Sequence, residues 1–163
     1  MLTGVATYSF AQQKVINKPL NYELMLPAGL FQTENDNDTF LIYIDTASEL
    51  ALMVSARETT FKDVNSYLDC SRKGLEDQLQ KLQEDSTLKL VECRRSQYYP
   101  DHAVVLHIET RAYLPQFDRC LIYFIHQRKK EIQFFFLYRK GNSIKSLDYI
   151  DKVMATLDIP KLH

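Results

Sequence analysis

Three apolar segments with a period of two dominate the second half of the chain: Ala103 to Tyr113, Arg119 to Gln127 and Glu131 to Arg139. Segments this close together, joined by short polar turns, pair as antiparallel hairpins. With Arg128-Lys129-Lys130 as the turn between the last two, one face of the sheet carries Val104, Leu106 and Ile108. It continues through Cys120, Ile122 and Phe124 to Ile132, Phe134, Phe136 and Tyr138. The opposite face carries His107, Glu109 and Arg111, but also Leu121, Tyr123, Ile125, Phe135 and Leu137. The first face is core. The second is amphipathic, too apolar to be left bare. A sheet with one helix per face satisfies both, which predicts an α+β fold: a three-layer α/β/α sandwich on a mostly antiparallel sheet.

The rest of the sequence supplies the other elements. Leu20 to Leu26 alternates as a half-buried strand and ends at Pro27-Ala28-Gly29. Phe40 to Ile44 and Leu50 to Arg57 follow as strands, and short connections predict a meander of the three. Thr60 to Asp63 then resembles a capping box. Phe61, Val64, Leu68, Leu75, Leu79 and Leu82 mark one stripe of a long helix reaching about Glu84, interrupted by Gly74. Leu88 to Arg95 reads as a further strand. Leu147, Ile150, Met154 and Leu157 set a closing helix from about Ser146 to Leu157, with Pro160 after it. Residues 20–160 form the expected single domain.

A length of 163 residues suffices for one buried core. A formal net charge of −1 gives no general attraction to nucleic acid, and the basic groups Arg94-Arg95 and Arg128-Lys129-Lys130 read as solvated turns. No stretch reaches the roughly 20 apolar residues of a membrane-spanning helix. Residues 1–13 lack charge, and the small residues Ser9 and Ala11 match the pattern read by a signal peptidase. They are expected to be a signal-peptide remnant or a disordered N-terminus, the first with a periplasmic or extracellular address. An added first strand in a cytoplasmic protein is the alternative. Cys70, Cys93 and Cys120 lack metal-type spacing; after export one pair could close a disulfide, and spacing does not choose which.

No nucleophile-elbow, zinc-protease or phosphate-loop motif is present, and no cofactor or catalytic residue is implied. His107 and Glu109, two apart, project from one strand face together with Arg111. A one-residue slip of the next strand would add His126 and make a metal site; the preferred register puts His126 on the other face, and His102 also faces away from His107. Glu34 to Asp38 has acids at alternate positions, but Thr39 stands where a calcium loop needs glycine, so it reads as a solvated turn. Tyr98-Tyr99 is an aromatic pair at a loop, suited to a partner surface or else split between core and rim. Tyr98, Tyr99, His107, Glu109, Arg111 and Tyr123 are therefore the candidate binding residues.

Tyr22-Glu23-Leu24-Met25-Leu26-Pro27-Ala28-Gly29-Leu30-Phe31 resembles the opening strand and turn of the PsbP-like superfamily. The closing helix Tyr149-Ile150-Asp151-Lys152-Val153-Met154-Ala155-Thr156-Leu157 is similar to that group's last helix, and between them the order of elements agrees. The resemblance implies a non-enzymatic domain that recognises a protein or an envelope component. It carries over no functional residue, because the superfamily shares no active site, and fold alone does not assign activity. The reading from another class is a hydrolase with an unrecognised active site around His107 and Glu109.

Overall fold

The structure, a computed structural model, describes residues 12–26, 29–32, 40–45, 50–59, 61–82, 84–110, 115–127 and 130–160. Its strands are β1 (Gln13–Asn17), β2 (Tyr22–Leu26), β3 (Leu30–Gln32), β4 (Phe40–Asp45), β5 (Leu50–Glu58), β6 (Lys89–Arg95), β7 (Ala103–Glu109), β8 (Arg119–Gln127) and β9 (Lys130–Tyr138). Its helices are α1 (Val64–Leu68), α2 (Arg72–Leu82) and α3 (Ser143–Met154). A seven-stranded sheet runs in the order β3-β4-β5-β9-β8-β7-β6, and every pairing in it is antiparallel. The mixed α+β class follows directly.

The expected meander is corrected at its first strand. β2 does not join the main sheet; it pairs with β1 in a separate hairpin. The cause is local: the Asn17 side chain accepts a hydrogen bond from the Leu20 amide at 2.8 Å, and Asn21 sits at φ 54. Asparagine tolerates that left-handed conformation, so the chain folds back on itself there. Gly29, at φ 108, redirects the chain toward β3, which takes the place beside β4. Glu23 and Asp158 exchange two backbone hydrogen bonds of 2.8 Å each, fastening the hairpin to the segment after α3.

The face assignment of β9 is also corrected. Gln127 pairs with Lys130, so the turn holds two residues, 128–129, rather than three. That one-residue difference turns every β9 side chain to the other face. Phe135 and Leu137 join Val104, Leu106, Ile108, Cys120, Ile122 and Phe124, under α1 and α2. Phe134, Phe136 and Tyr138 join Leu121, Tyr123 and Ile125, against the β1-β2 hairpin and the α3 residues Ile150, Val153 and Met154. β7 ends at Glu109, short of the expected Tyr113; residues 111–114 lie outside the described residues.

The single long helix is replaced by two shorter ones. Asp63, not Thr60, caps α1, its carboxylate accepting from the Ser66 amide at 2.9 Å. Asp69-Cys70-Ser71 ends α1, and the Ser71 hydroxyl accepts from the Gly74 amide at 3.1 Å at the first turn of α2. The capping side chain at Ser71 starts a second helix within a stripe that periodicity alone would continue as one. α3 begins at Ser143, a turn earlier than expected, and Leu147 lies on its partly exposed flank.

Phe134 is fully buried and meets Tyr22 edge-on, with ring centroids 5.2 Å apart. Phe134→Ala is expected to destabilise the fold by about 3–5 kcal/mol, as truncation of buried aromatic side chains does. Urea denaturation checks it, and an unchanged midpoint would contradict the burial of Phe134.

Candidate functional site

The register stacks the polar candidates in rows on the α3 side of the sheet. Glu92 of β6 lies opposite His107, which lies opposite Leu121; Glu109 lies opposite Arg119, and Arg94 opposite Val105. His107 is half-buried, and its Nε2 is 2.8 Å from the hydroxyl of fully buried Tyr138. Glu109 forms an ion pair with Arg119 at 3.0 Å, and Arg119 also reaches Asp118 at 3.7 Å. Glu92 and Arg94 pair at 3.7 Å on the exposed edge strand. Beside these rows Thr87, Lys89, Glu109, Thr110, Asp118 and Arg119 line an open cleft of ≈ 330 Å³. The surface thus alternates acid and base, with a neutral hydrogen-bonding centre at His107.

The aromatic candidates divide. Tyr98 sits at the rim, its hydroxyl bonded to the backbone carbonyl of Asp151 at 3.0 Å and to the Asp151 carboxylate. Burial, then the hydrogen bond to Asp151, raise its pKa. Tyr99 turns inward and donates to the Leu157 carbonyl at 2.6 Å, so it supports the core rather than the surface. Tyr123 is buried beneath the rows, edge-on to Phe136 at 6.0 Å. Arg111 lies outside the described residues. On α3, Ile144 (90% exposed) and Leu147 (37% exposed) share a stripe with Asp151, because residues three and four apart are neighbours on a helix. That is the flank from which Asp151 holds Tyr98. Glu92, Arg94, Arg119 and the Ile144–Leu147 stripe escaped the sequence reading. The signals available were the alternation of Glu92 and Arg94 and an apolar Ile144 off the buried stripe.

A second polar cluster, also missed, lies under α1. Glu131 of β9 is 0% exposed. It pairs with Arg57 of β5 at 3.1 Å, accepts from the Gln133 amide at 2.7 Å, and accepts from the Tyr67 hydroxyl of α1. His126 Nε2 is 3.6 Å from it, and His126 Nδ1 is 3.3 Å from the Thr59 hydroxyl. The register puts His126 on the face opposite His107, so the two imidazoles share no site. Among the described residues no group of three or more His, Cys, Asp or Glu side chains is placed to hold a metal ion. The only available hint of the cluster was opposite charge on two strands that are far apart in sequence.

Comparison with known proteins places the fold. No family profile matches the sequence, and no curated protein matches it. The structure is similar to cyanobacterial PsbP (CyanoP) from Synechocystis sp. PCC 6803, at 12% identity and TM-score 0.66, with 98% of each chain covered. It is similar to the Ran-binding protein Mog1p of Saccharomyces cerevisiae at 9% identity and TM-score 0.62, covering 93% of this chain and 96% of that one. A Bacteroides thetaiotaomicron VPI-5482 protein aligns at 13% identity and TM-score 0.52, over 91% of this chain and 48% of its own. At these identities the likeness shows a PsbP-like fold.

Burial, with Arg119 next, lowers the His107 pKa from 6.5, against the opposing pull of Glu92 and Glu109. Burial likewise lowers that of His126, against Glu131 and Asp63. An unfolded imidazole takes up its proton near 6.5, while the folded ones do so only at lower pH. The unfolded state therefore binds more protons in that window, and stability falls as pH drops below about 6.5. Urea midpoints measured from about pH 7.5 to about pH 5 should decline, and the His107→Gln/His126→Gln double variant should decline less. Equal slopes for the two proteins would contradict the assignment.

Proposed function

We propose that this chain is a non-catalytic binding module, a single three-layer α/β/α domain over residues 20–160, that recognises a protein or an envelope component. The recognition surface is the α3 side of the sheet: Tyr98, His107 and Glu109, with Tyr123 and Tyr99 as underlying support; Arg111, the remaining candidate from the sequence, lies outside the described residues. The observation that carries the reading is that one side of the sheet presents both the exposed Ile144 and Leu147 of α3 and the ion-paired Glu92, Arg94, Glu109 and Arg119, with α3 tied to the segment after β6 where Asp151 holds Tyr98. An apolar centre with a charged rim is the usual anatomy of a protein interface. The PsbP-like fold shared with a Ran-binding protein supports the same class. The hydrolase reading takes support from half-buried His107 beside the open cleft. Against it, His107 is engaged by Tyr138 and Glu109 by Arg119.

Export of the chain is part of the proposal, resting on the Ser9 and Ala11 pattern; the segment itself, residues 1–11, lies outside the described residues. Cleavage near Gln12 would leave β1, which begins at Gln13, intact.

A photo-crosslinking residue at Leu147, in cells of the source organism, is expected to capture a discrete partner, and one at exposed Lys73 of α2 is not. Ile144→Asp, with the crosslinking residue kept at position 147, should cut capture about tenfold or more, as loss of central interface contacts does, with the unfolding temperature nearly unchanged. Equal capture from both positions, or turnover of ester or peptide substrates lost in His107→Gln, would overturn the binding reading.

For export, the N-terminus of the native protein is expected near Gln12, and a chain starting there should melt close to the full-length protein. An intact Met1 in the native protein, or a melting temperature many degrees lower for the shortened chain, would contradict it.

A further inference from the structure

We infer that Cys70 and Cys93 form a modification site, a dithiol that closes to an intramolecular disulfide joining the α1–α2 linker to the edge strand β6. The three cysteines are not equivalent. Cys120 is fully buried in the sheet, opposite Ile108 and Leu137. Cys70 and Cys93 are each partly exposed, pack against the same core, and line one cavity of ≈ 250 Å³ with Tyr67, Leu68, Leu75 and Leu90.

Two independent contacts fix their alignment. The Arg95 side chain reaches Asn65 of α1. Arg72 donates to the Leu90 carbonyl at 2.6 Å, while Glu76 accepts from the Leu90 amide at 2.7 Å. The segment from Asn65 to Arg72 therefore runs along β6 in the opposite sense, Asn65 beside Arg95 and Arg72 beside Leu90. Cys70 falls between the first members of these pairs and Cys93 between the second. The backbones of α1 and α2 approach β6 to within 8 Å. Cys93 pairs with Leu106, a residue of the α1–α2 core, so strand alternation directs its thiol to this side. Gly74 gives the Cys70 side chain its space at the start of α2: a Cβ there would stand 3.3 Å from the Cys70 sulfur. Burial, then the proximity of Cys70, push the Cys93 thiol up to about 11, and a protonated thiol is a poor first nucleophile, so Cys93 is assigned the second, resolving step.

The oxidant is a small-molecule disulfide such as oxidised glutathione. The Cys70 thiolate attacks one of its sulfurs; the S–S bond breaks, one small thiolate leaves, and a mixed disulfide forms on Cys70. Cys93 then loses its proton and attacks the Cys70 sulfur, expelling the second small thiolate. Two electrons pass from the cysteine pair to the small disulfide, and the two released protons reside on the departing thiols. The closed bond restricts the unfolded chain across α2 and the start of β6.

The test treats the reduced full-length protein with oxidised glutathione, alkylates remaining thiols and maps non-reduced peptides by mass spectrometry. A Cys70–Cys93 linked peptide is expected, with Cys120 alkylated only after denaturation. The unfolding temperature should rise by roughly 5–10 °C and return on reduction. Cys120→Ala should keep both effects, and Cys70→Ser and Cys93→Ser should each lose both. A disulfide that includes Cys120, an intermolecular bond, or stable glutathione adducts on Cys70 and Cys93 in place of the crosslink would overturn the proposal.

Discussion

The two-residue turn between β8 and β9 governs the rest of this molecule. β9 lies at the centre of the sheet, between β5 and β8, so its register is felt on both sides. With Gln127 opposite Lys130, Phe134, Phe136 and Tyr138 fill the α3 side and Phe135 and Leu137 the α1–α2 side. A slip of one residue would exchange those sets and drive Glu131 and Gln133 into the opposite layer. Both cores are then built from complementary partners. Tyr138 reaches His107 from one face, and Glu131 meets Tyr67 from the other.

Glu131 turns that register into a position for α1. A carboxylate with no exposure costs several kcal/mol in lost hydration, and the cost is offset only when its oxygens are fully engaged. Arg57 supplies the counter-charge, Gln133 and Tyr67 supply donors, and only Tyr67 comes from a helix. The helix is therefore selected by the sheet's buried charge as well as by apolar contact. Phe61 stacks on Tyr67 with centroids 3.9 Å apart, and the Arg57 guanidinium lies 5.4 Å above the Phe124 ring, which close the cluster. Such a pair adds little net stability of its own, while removal of either partner leaves an uncompensated buried charge.

Much of this was legible in the sequence, because strand alternation is short-ranged and robust. Val104, Leu106 and Ile108 face the same side as Cys120, Ile122 and Phe124, as their spacing requires. What escaped depended on single turns or on pairing. Arg128-Lys129-Lys130 reads equally as a turn of two or three residues, and only the pairing decides. Asp69-Cys70-Ser71 interrupts a stripe whose apolar spacing continues unbroken, because helix caps act through side-chain oxygens that periodicity ignores. Among the described residues β1 pairs with β2 alone, through a turn made by Asn17 and Asn21. For the candidate surface, Tyr98, His107 and Glu109 were recognisable as polar or aromatic residues at surface-facing positions. Glu92, Arg94 and Arg119 become their neighbours only once β6, β7 and β8 are in register.

The edge strand β6 connects the two sides of the sheet. An open edge invites pairing with another chain, and here α2 blocks it: Arg72 and Glu76 occupy both backbone groups of Leu90. Beyond that point the strand alternates in function as well as direction. Glu92 and Arg94 project to the α3 side among the proposed binding residues, and Cys93, between them, projects to the α1–α2 side. A covalent link at Cys93 would hold the backbone that presents both charges, without touching the surface itself. Fixing the edge strand from behind would lower the ordering cost of any partner that engages its front, because less conformational freedom remains to be lost on binding.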